Sequence, residues 1–307
     1  MTKSFGKRVF RLFSLLALLI IVFCGTRLLI RALPGDPIEI MLNDAGSPLP
    51  AAELRAEFNL NLPLVPSLLA DLKNVSRGDF GKSILTGQTI APLLKTRFLK
   101  TLELSALATL FALAGSIALG VFAAAHPSGR ADRFCSVYGA VTASLPLPWI
   151  GPILLLPLAI WLPLFPIGGN VFLPAFTLAI SFSGLWARLV RERVRETLFS
   201  GGTTPAVSAR ARGLPEWKIL LKYGLVPASG ALIAYLGTQF GGLLAGAFVT
   251  EVIFDWQGMG ALLLQAVLRR DYPVVEAAAF VAAAASLLGN FLGDWAQGAI
   301  DPRVSPS

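Results

Sequence analysis

FCSVYGAVTASLPLPWIGPILLLPLAIWLPLFPIGGNVFLPAFTLAISFSGLWA, residues 134–187, runs for 54 positions without an Asp, Glu, Lys or Arg. As one straight helix it would measure about 81 Å, more than twice the roughly 30 Å hydrocarbon core of a bilayer. The segment must fold back on itself. Pro163, Pro166, Gly168 and Gly169 cluster where a turn is needed. The reading is a third membrane span from about Phe134 to Leu162 and a fourth from about Val171 to Val190. Pro146, Pro148, Pro152 and Pro157 should kink the third, which makes it a candidate pore wall.

Outward from this segment, the other charge-poor windows fall at Leu12–Ile30 (passing Arg27), Leu104–Ala125, Tyr223–Thr250 and Ala277–Ile300, the last interrupted by Asp294. The basic leader with Lys3, Lys7, Arg8 and Arg11 resembles a signal peptide. No small-residue cleavage site follows it, however, and the apolar run is longer than a signal core, so the reading is an uncleaved first helix. The expected architecture is all-α, with six transmembrane helices. Residues 1–31 would hold the tail and first span, and 32–98 a small helical extracytoplasmic segment with patterns at Ala51–Phe58 and Pro66–Val75. Residues 99–307 would form the core, with a cytoplasmic loop at 191–222.

Composition agrees with a chain solvated by lipid. Of the 307 residues 55% are hydrophobic and only 14% charged, against about 25% charged in a soluble domain. A mean hydropathy of +0.68 excludes disorder. Two cysteines, Cys24 and Cys135, and a single histidine, His126, leave no disulfide framework, zinc site or two-histidine metal motif. The net charge of +8 invites a nucleic-acid reading, but the basic residues sit between apolar runs rather than along one folded face. They act instead as topology signals. With both termini inside, the inner segments hold 15 of the 26 Lys plus Arg.

Two motif look-alikes fail. Gly81-Lys82-Ser83 ends like a phosphate-binding loop, but the first glycine of that motif would stand at Ser76. A nucleophile needs a base within reach, and His126 lies in a loop beside Pro127, so no catalytic residues are assigned. The informative stretch is Thr204–Pro227. Pro205 opens a short helix over Ala206–Arg212, Gly213 can take the left-handed conformation that ends it, and Pro215 with Glu216 starts a second helix. This makes a two-helix elbow, either an ordinary amphipathic interfacial piece or a docking element. The small side chains of Ser208, Ala209 and Ala211 would allow close approach, and Arg210 and Arg212 would keep it polar.

The run SARARGLPEWKILLKYGLVPA, Ser208–Ala228, resembles the cytoplasmic coupling loop of binding-protein-dependent ABC importer permeases, in their dipeptide and oligopeptide branch. Further pieces match that branch in order: ALPGDP at 32–37, GDFGKSILTGQ at 78–88, TLELS at 101–105, GMGALLLQAVLRRDYPVV at 258–275 and DPR at 301–303. The chain departs from the family pattern at Val207, where the general coupling motif begins with glutamate, at Pro205, where an aromatic is common, and at Tyr223. The resemblance implies the type I ABC importer permease fold and a multi-pass protein of the bacterial inner membrane with cytoplasmic termini. It implies half of a translocation path for di- or oligopeptides, or for nickel or another small solute. The implied partners are a second homologous permease, two ATP-binding subunits that carry the ATP and Mg, and an extracytoplasmic substrate-binding protein. This chain would bind no cofactor of its own. Residues Ser208, Ala209, Arg210, Ala211, Arg212, Gly213, Leu214 and Pro215 would couple to the ATPase, with Ala209, Ala211, Gly213 and Leu214 at the docking tip.

Gly237, Gly241, Gly242 and Gly246 place flat faces along the fifth span, for packing either within the chain or against a partner permease across the pore. Among carboxylates near the spans, Glu103, Glu251 and Glu276 lie near expected helix ends, where they can reach water. Asp294 is read as a buried polar group paired with a neighbouring helix or through Asn290. An ion-coupled secondary transporter should instead show several midplane ionisable residues and an internal repeat, and no repeat is found.

Overall fold

The computed structural model describes residues 13–14, 16–28, 63–166, 169–199 and 205–300. The basic leader, the ALPGDP turn, the Ala51–Phe58 pattern and the DPR tail lie outside them. In chain order the helices are α1 (Leu16–Leu28), α2 (Leu64–Ser76), α3 (Ile90–Ala125), α4 (Arg130–Ser144), α5 (Leu147–Leu155), α6 (Phe172–Phe199), α7 (Pro205–Ala211), α8 (Glu216–Ile219), α9 (Val226–Ile253), α10 (Met259–Leu268) and α11 (Tyr272–Ile300). Two π-helical turns extend this set, Leu156–Trp161 after α5 and Leu220–Leu225 between α8 and α9. Among the described residues there is no strand, only one isolated bridge between Lys82 and Thr89.

Four helices are long and apolar enough to cross a membrane: Ile90–Ala125, Phe172–Phe199, Tyr235–Ile253 within α9, and Tyr272–Gly293 within α11. The expected third span is not one kinked helix. It is the pair α4 and α5, bent by 110°. The break has a local cause: Pro146 disfavours helical geometry at the residue before it, and Leu145 is extended at φ −83°, ψ 123°. Further along, Pro157 lacks the N–H that would bond the Ile153 carbonyl, and the chain widens into the π turn. The expected first span is described over Leu16–Leu28 only. The fourth continues past Val190 to Phe199, because Arg191, Val194 and Leu198 keep one face of α6 buried.

The described residues form two compact units, one within Met1–Lys100 and Gln257–Leu287, the other within Thr101–Trp256 and Leu288–Ser307. In the first unit Arg27, near the end of α1, is only 7% exposed. It donates to Asp71 Oδ2 of α2 and Glu276 Oε2 of α11, each at 2.7 Å. Glu276 is therefore a buried ion-pair partner rather than a water-reaching end group. Burial of a carboxylate is tolerated where a guanidinium pairs with it. Ser83 donates to Asp271 Oδ2 at 2.5 Å, so the Gly81-Lys82-Ser83 turn is occupied in fastening the chain ahead of α11.

In the second unit, α4 and α6 cross at glycines. A Cβ on Gly184 would lie 3.1 Å from the Gly139 Cα and 2.0 Å from Thr142 Oγ1, so the approach depends on the missing side chains. Tyr138 and Ser183 add a hydroxyl pair at 2.6 Å. Helices α9 and α11 meet likewise: a Cβ on Gly237 would stand 2.4 Å from Gly293 Cα. Gly246 packs on Leu147, Leu178 and Phe182, and Gly241 faces the Asn290 amide. Three of the four glycines of the fifth span thus serve packing inside the chain, and Gly242 is exposed. Asn290, expected buried, is exposed in the single chain, and its Oδ1 accepts from Gly241 N at 3.2 Å. The side chain of Asp294 lies outside the described residues. Glu251, expected near water, is fully buried and accepts from Thr101 Oγ1 at 2.5 Å, because α9 carries on through it to Ile253.

Candidate functional site

The elbow is built by its own backbone. At the end of α7, Leu214 N donates to Ala209 O at 3.2 Å and Gly213 N to Arg210 O at 2.9 Å. That pair of bonds is the Schellman closure, in which the residue after the cap adopts left-handed geometry. Gly213 does so at φ +75°. The apolar contact that accompanies the motif is present too, since Leu214 and Ala209 share one cluster with Ala124, Val190, Val194, Leu198, Ala206, Ile219, Ala228 and Leu232. Pro215 then supplies an extended cap at ψ 142° and α8 begins at Glu216, with the acidic side chain at the positive helix end.

Side chains lock the two arms. Arg210 Nε donates to Glu216 Oε1 at 2.9 Å and Arg210 Nη2 to Oε2 at 3.3 Å, a two-point bridge across the turn. Arg210 also stands 5.5 Å from the Phe199 ring. The base is tied to α6, where Thr197 Oγ1 donates to Gly224 O at 3.2 Å. A Cβ on Gly224 would come within 3.0 Å of Val194 Cγ1, so α6 and the π turn meet closely.

This geometry sorts the sequence-derived residues. Ala209 is fully buried in the cluster, which removes it from the exposed tip and makes it the elbow's anchor. Leu214 is half-buried beside it. Ser208, Ala211, Arg212, Gly213 and Pro215 are exposed, and Arg210 is half-buried against Glu216. Three exposed apolar side chains stand on the same elbow, and of these the sequence reading singled out only Val207. They are Trp217 at 60%, Val207 at 45% and Leu221 at 46% exposure. Trp217 was the available signal, because a large aromatic in a short polar loop has no core of its own to enter.

Behind the elbow, α6 carries a second feature that the sequence reading missed. Asp132 Oδ1 accepts from Arg191 Nη1 at 2.9 Å and its Oδ2 pairs with Arg195 Nη2 at 3.0 Å. Arg195 Nη2 also donates to the Ala123 carbonyl at 3.0 Å, satisfying the end of α3. Ser128 N donates to the same Asp132 carboxylate at 2.9 Å, fixing the turn into α4. One carboxylate therefore ties the ends of α3, α4 and the elbow-bearing helix α6.

The Arg210 guanidinium holds the Glu216 carboxyl below its ordinary range. A depressed folded pKa gives stability that is present above the unfolded value and is lost as pH falls through the folded one. Acidification into and below the ordinary carboxylate range should therefore loosen the bridge and lower the hydrogen-exchange protection factors of residues 205–216, taken relative to intrinsic exchange at each pH, in the intact protein. Glu216→Gln should already show low protection factors at neutral pH that acid changes little, whereas a wild-type pH response of the protection factors in Glu216→Gln would show that the bridge is not the source.

The family described as binding-protein-dependent transport system inner membrane component matches residues 116–306. The chain belongs to this family. The permease is 31% identical to the oligopeptide transport system permease protein AppB of Bacillus subtilis (strain 168), over 90% of this chain and 92% of that protein. It is also 31% identical to the dipeptide transport system permease protein DppB of Escherichia coli (strain K12), over 94% and 96%. The glutathione transport system permease protein GsiC of Salmonella paratyphi A (strain ATCC 9150 / SARB42) is 30% identical, over 96% and 97%. Among solved structures, an amino acid ABC transporter with histidines shares the fold at a TM-score of 0.50 and 16% identity, covering 66% of the permease and 92% of that chain. The permease is thus a multi-pass inner-membrane component of a transport system, as the ordered motifs of its sequence anticipated.

Proposed function

We propose that the permease forms half of an ATP-driven import path for di- or oligopeptides, with the α7–α8 elbow as the piece gripped by a separate ATPase subunit. The observation that carries this reading is the Gly213-centred elbow. It is anchored inward by Ala209 and Ile219, braced by Arg210 and Glu216, and presents Ser208, Ala211 and Trp217 outward. A braced elbow of this kind transmits a push into α6 instead of absorbing it. Small tip residues admit a close-fitting groove, and Trp217 offers the type of rigid aromatic anchor that dominates protein interfaces.

The named cargo of the relatives, oligopeptide, dipeptide and glutathione, supports a peptide substrate. On this reading the partners are a second permease, two ATP-binding subunits and an extracytoplasmic binding protein, with both termini of the permease in the cytosol. ATP and Mg stay on the ATPases. The deciding experiment reconstitutes the permease with its partner subunits in liposomes and follows labelled di- and tripeptides. Uptake that needs ATP and the binding protein is expected. Uptake driven by a proton or sodium gradient without any ATPase would overturn the reading.

A further inference from the structure

Where α4 starts and α6 approaches its end, the permease carries more positive charge than it neutralises. Arg130, Arg133, Arg188, Arg191, Arg193 and Arg195 stand there, and on these stretches of the described residues the carboxylates are Asp132, Glu192 and Glu196. All three carboxylates are engaged: Asp132 holds Arg191 and Arg195, Glu192 holds Arg191, and Glu196 holds Arg193. Arg130, Arg133 and Arg188 are exposed, and their side chains make no ion pair or hydrogen bond among the described residues. That leaves an excess of three positive charges at one place.

Two of these cations flank the contact between α4 and α6. Arg133 stands one helical turn before Ser136, the hydroxyl that accepts from Arg191, and Arg188 stands one turn before Arg191 itself. The seam is shaped for the Arg188 stem, because a Cβ on Gly139 would fall 2.3 Å from Arg188 Cδ. The missing side chain lets the aliphatic stem lie across α4 while the guanidinium stays in water. Toward the apolar part of the same helices, Phe134, Val137 and Leu185 are exposed. Cations beside an outward apolar strip match a molecule with an anionic head and hydrocarbon tails. Guanidinium forks suit phosphate oxygens, and the cytoplasmic leaflet is rich in anionic lipid.

We propose that Arg133 and Arg188 bind the phosphate of an anionic phospholipid of the inner leaflet, with Arg130 at the rim and the acyl chains along Phe134, Val137 and Leu185. The placement in the inner leaflet rests on the cytosolic elbow of the proposed function, whereas the test reads lipid directly and needs no transport. The assembled transporter is purified in mild detergent, and retained cardiolipin and phosphatidylglycerol are counted by native mass spectrometry. Each basic residue at an anionic surface contributes about a fivefold gain, so Arg133→Gln with Arg188→Gln should lower retention about thirtyfold. Arg193→Gln removes a neighbouring charge that is already paired with Glu196 and should change retention little. Equal retention in the double variant overturns the proposal. Equal loss in Arg193→Gln also overturns it, by showing diffuse charge instead of a site. Loss of a partner subunit with lipid retained would assign the seam to a protein interface and overturn it too.

Discussion

Replacing Gly213 with Glu should cut ATP-driven uptake roughly 5–30-fold, the equivalent of the 1–2 kcal/mol that a left-handed position costs a residue with a Cβ. Nucleotide hydrolysis by the assembled transporter should persist. The substitution does not clash with the permease itself, because nothing lies within 4 Å of a Cβ built on Gly213. Its cost has two parts: the φ of +75° that closes the elbow, and the bulk added at an exposed tip. Gly213→Asn separates them, since asparagine tolerates the left-handed region far better than other side chains. If backbone geometry dominates, Gly213→Asn should keep most of the coupling and Gly213→Ala should lose more despite being smaller. If bulk at the docking surface dominates, the order reverses. Wild-type uptake in Gly213→Glu would remove the elbow from the coupling path altogether.

Gly213 was legible in the sequence because its signal is local: a glycine after a short Ala-rich helix, with a proline two residues later. The spans were legible for a similar reason. Lipid forbids uncovered charge, so charge-free windows found α3, α6, α9 and α11, and the Pro163–Asn170 cluster marked the turn before α6. What failed to show was long in range or ambiguous in degree. Glu276 and Glu251 read as wet end groups because their partners, Arg27 and Thr101, lie 249 and 150 residues away. The prolines of the third span announced a distortion but not its size, and the 110° bend arises at Leu145, which carries no signal except its following proline. Ala209 was misplaced at the tip because seven residues of α7 offer too few turns to say which face is anchored. The seam between α4 and α6 is visible only once Gly139 and Gly184 are brought together.

The same long-range difficulty hid Asp132, 59 residues from Arg191, and its replacement is expected to have the largest effect on stability. Arg191 is 7% exposed and Arg195 is partly buried. Asp132→Asn would leave Arg191 with Glu192, the Ser136 hydroxyl and the backbone carbonyl of residue 132, and Arg195 with the Ala123 carbonyl. Breaking a fully buried pair costs about 3–5 kcal/mol, and partial solvent access here lowers that to about 2–3 kcal/mol. Thermal unfolding of the purified permease should then move down by roughly 5–10 °C. Because the loss comes from uncompensated charge rather than from lost packing, removing one guanidinium as well should recover part of it. Asp132→Asn with Arg195→Gln should therefore be more stable than Asp132→Asn alone, a coupling that a double-mutant cycle reads directly. Strict additivity of the two changes would show that the carboxylate is not the tie between α4 and α6. The functional consequence follows from position. Asp132 joins α6 to α4 directly and to the end of α3 through Arg195, so on the proposed coupling a push at the elbow would reach three helices through one carboxylate. In reconstituted transporter Asp132→Asn should lower peptide moved per ATP hydrolysed even at temperatures where the fold is intact. A variant destabilised by the same margin elsewhere, such as Leu178→Ala in the packed core of the second unit, should leave that ratio unchanged.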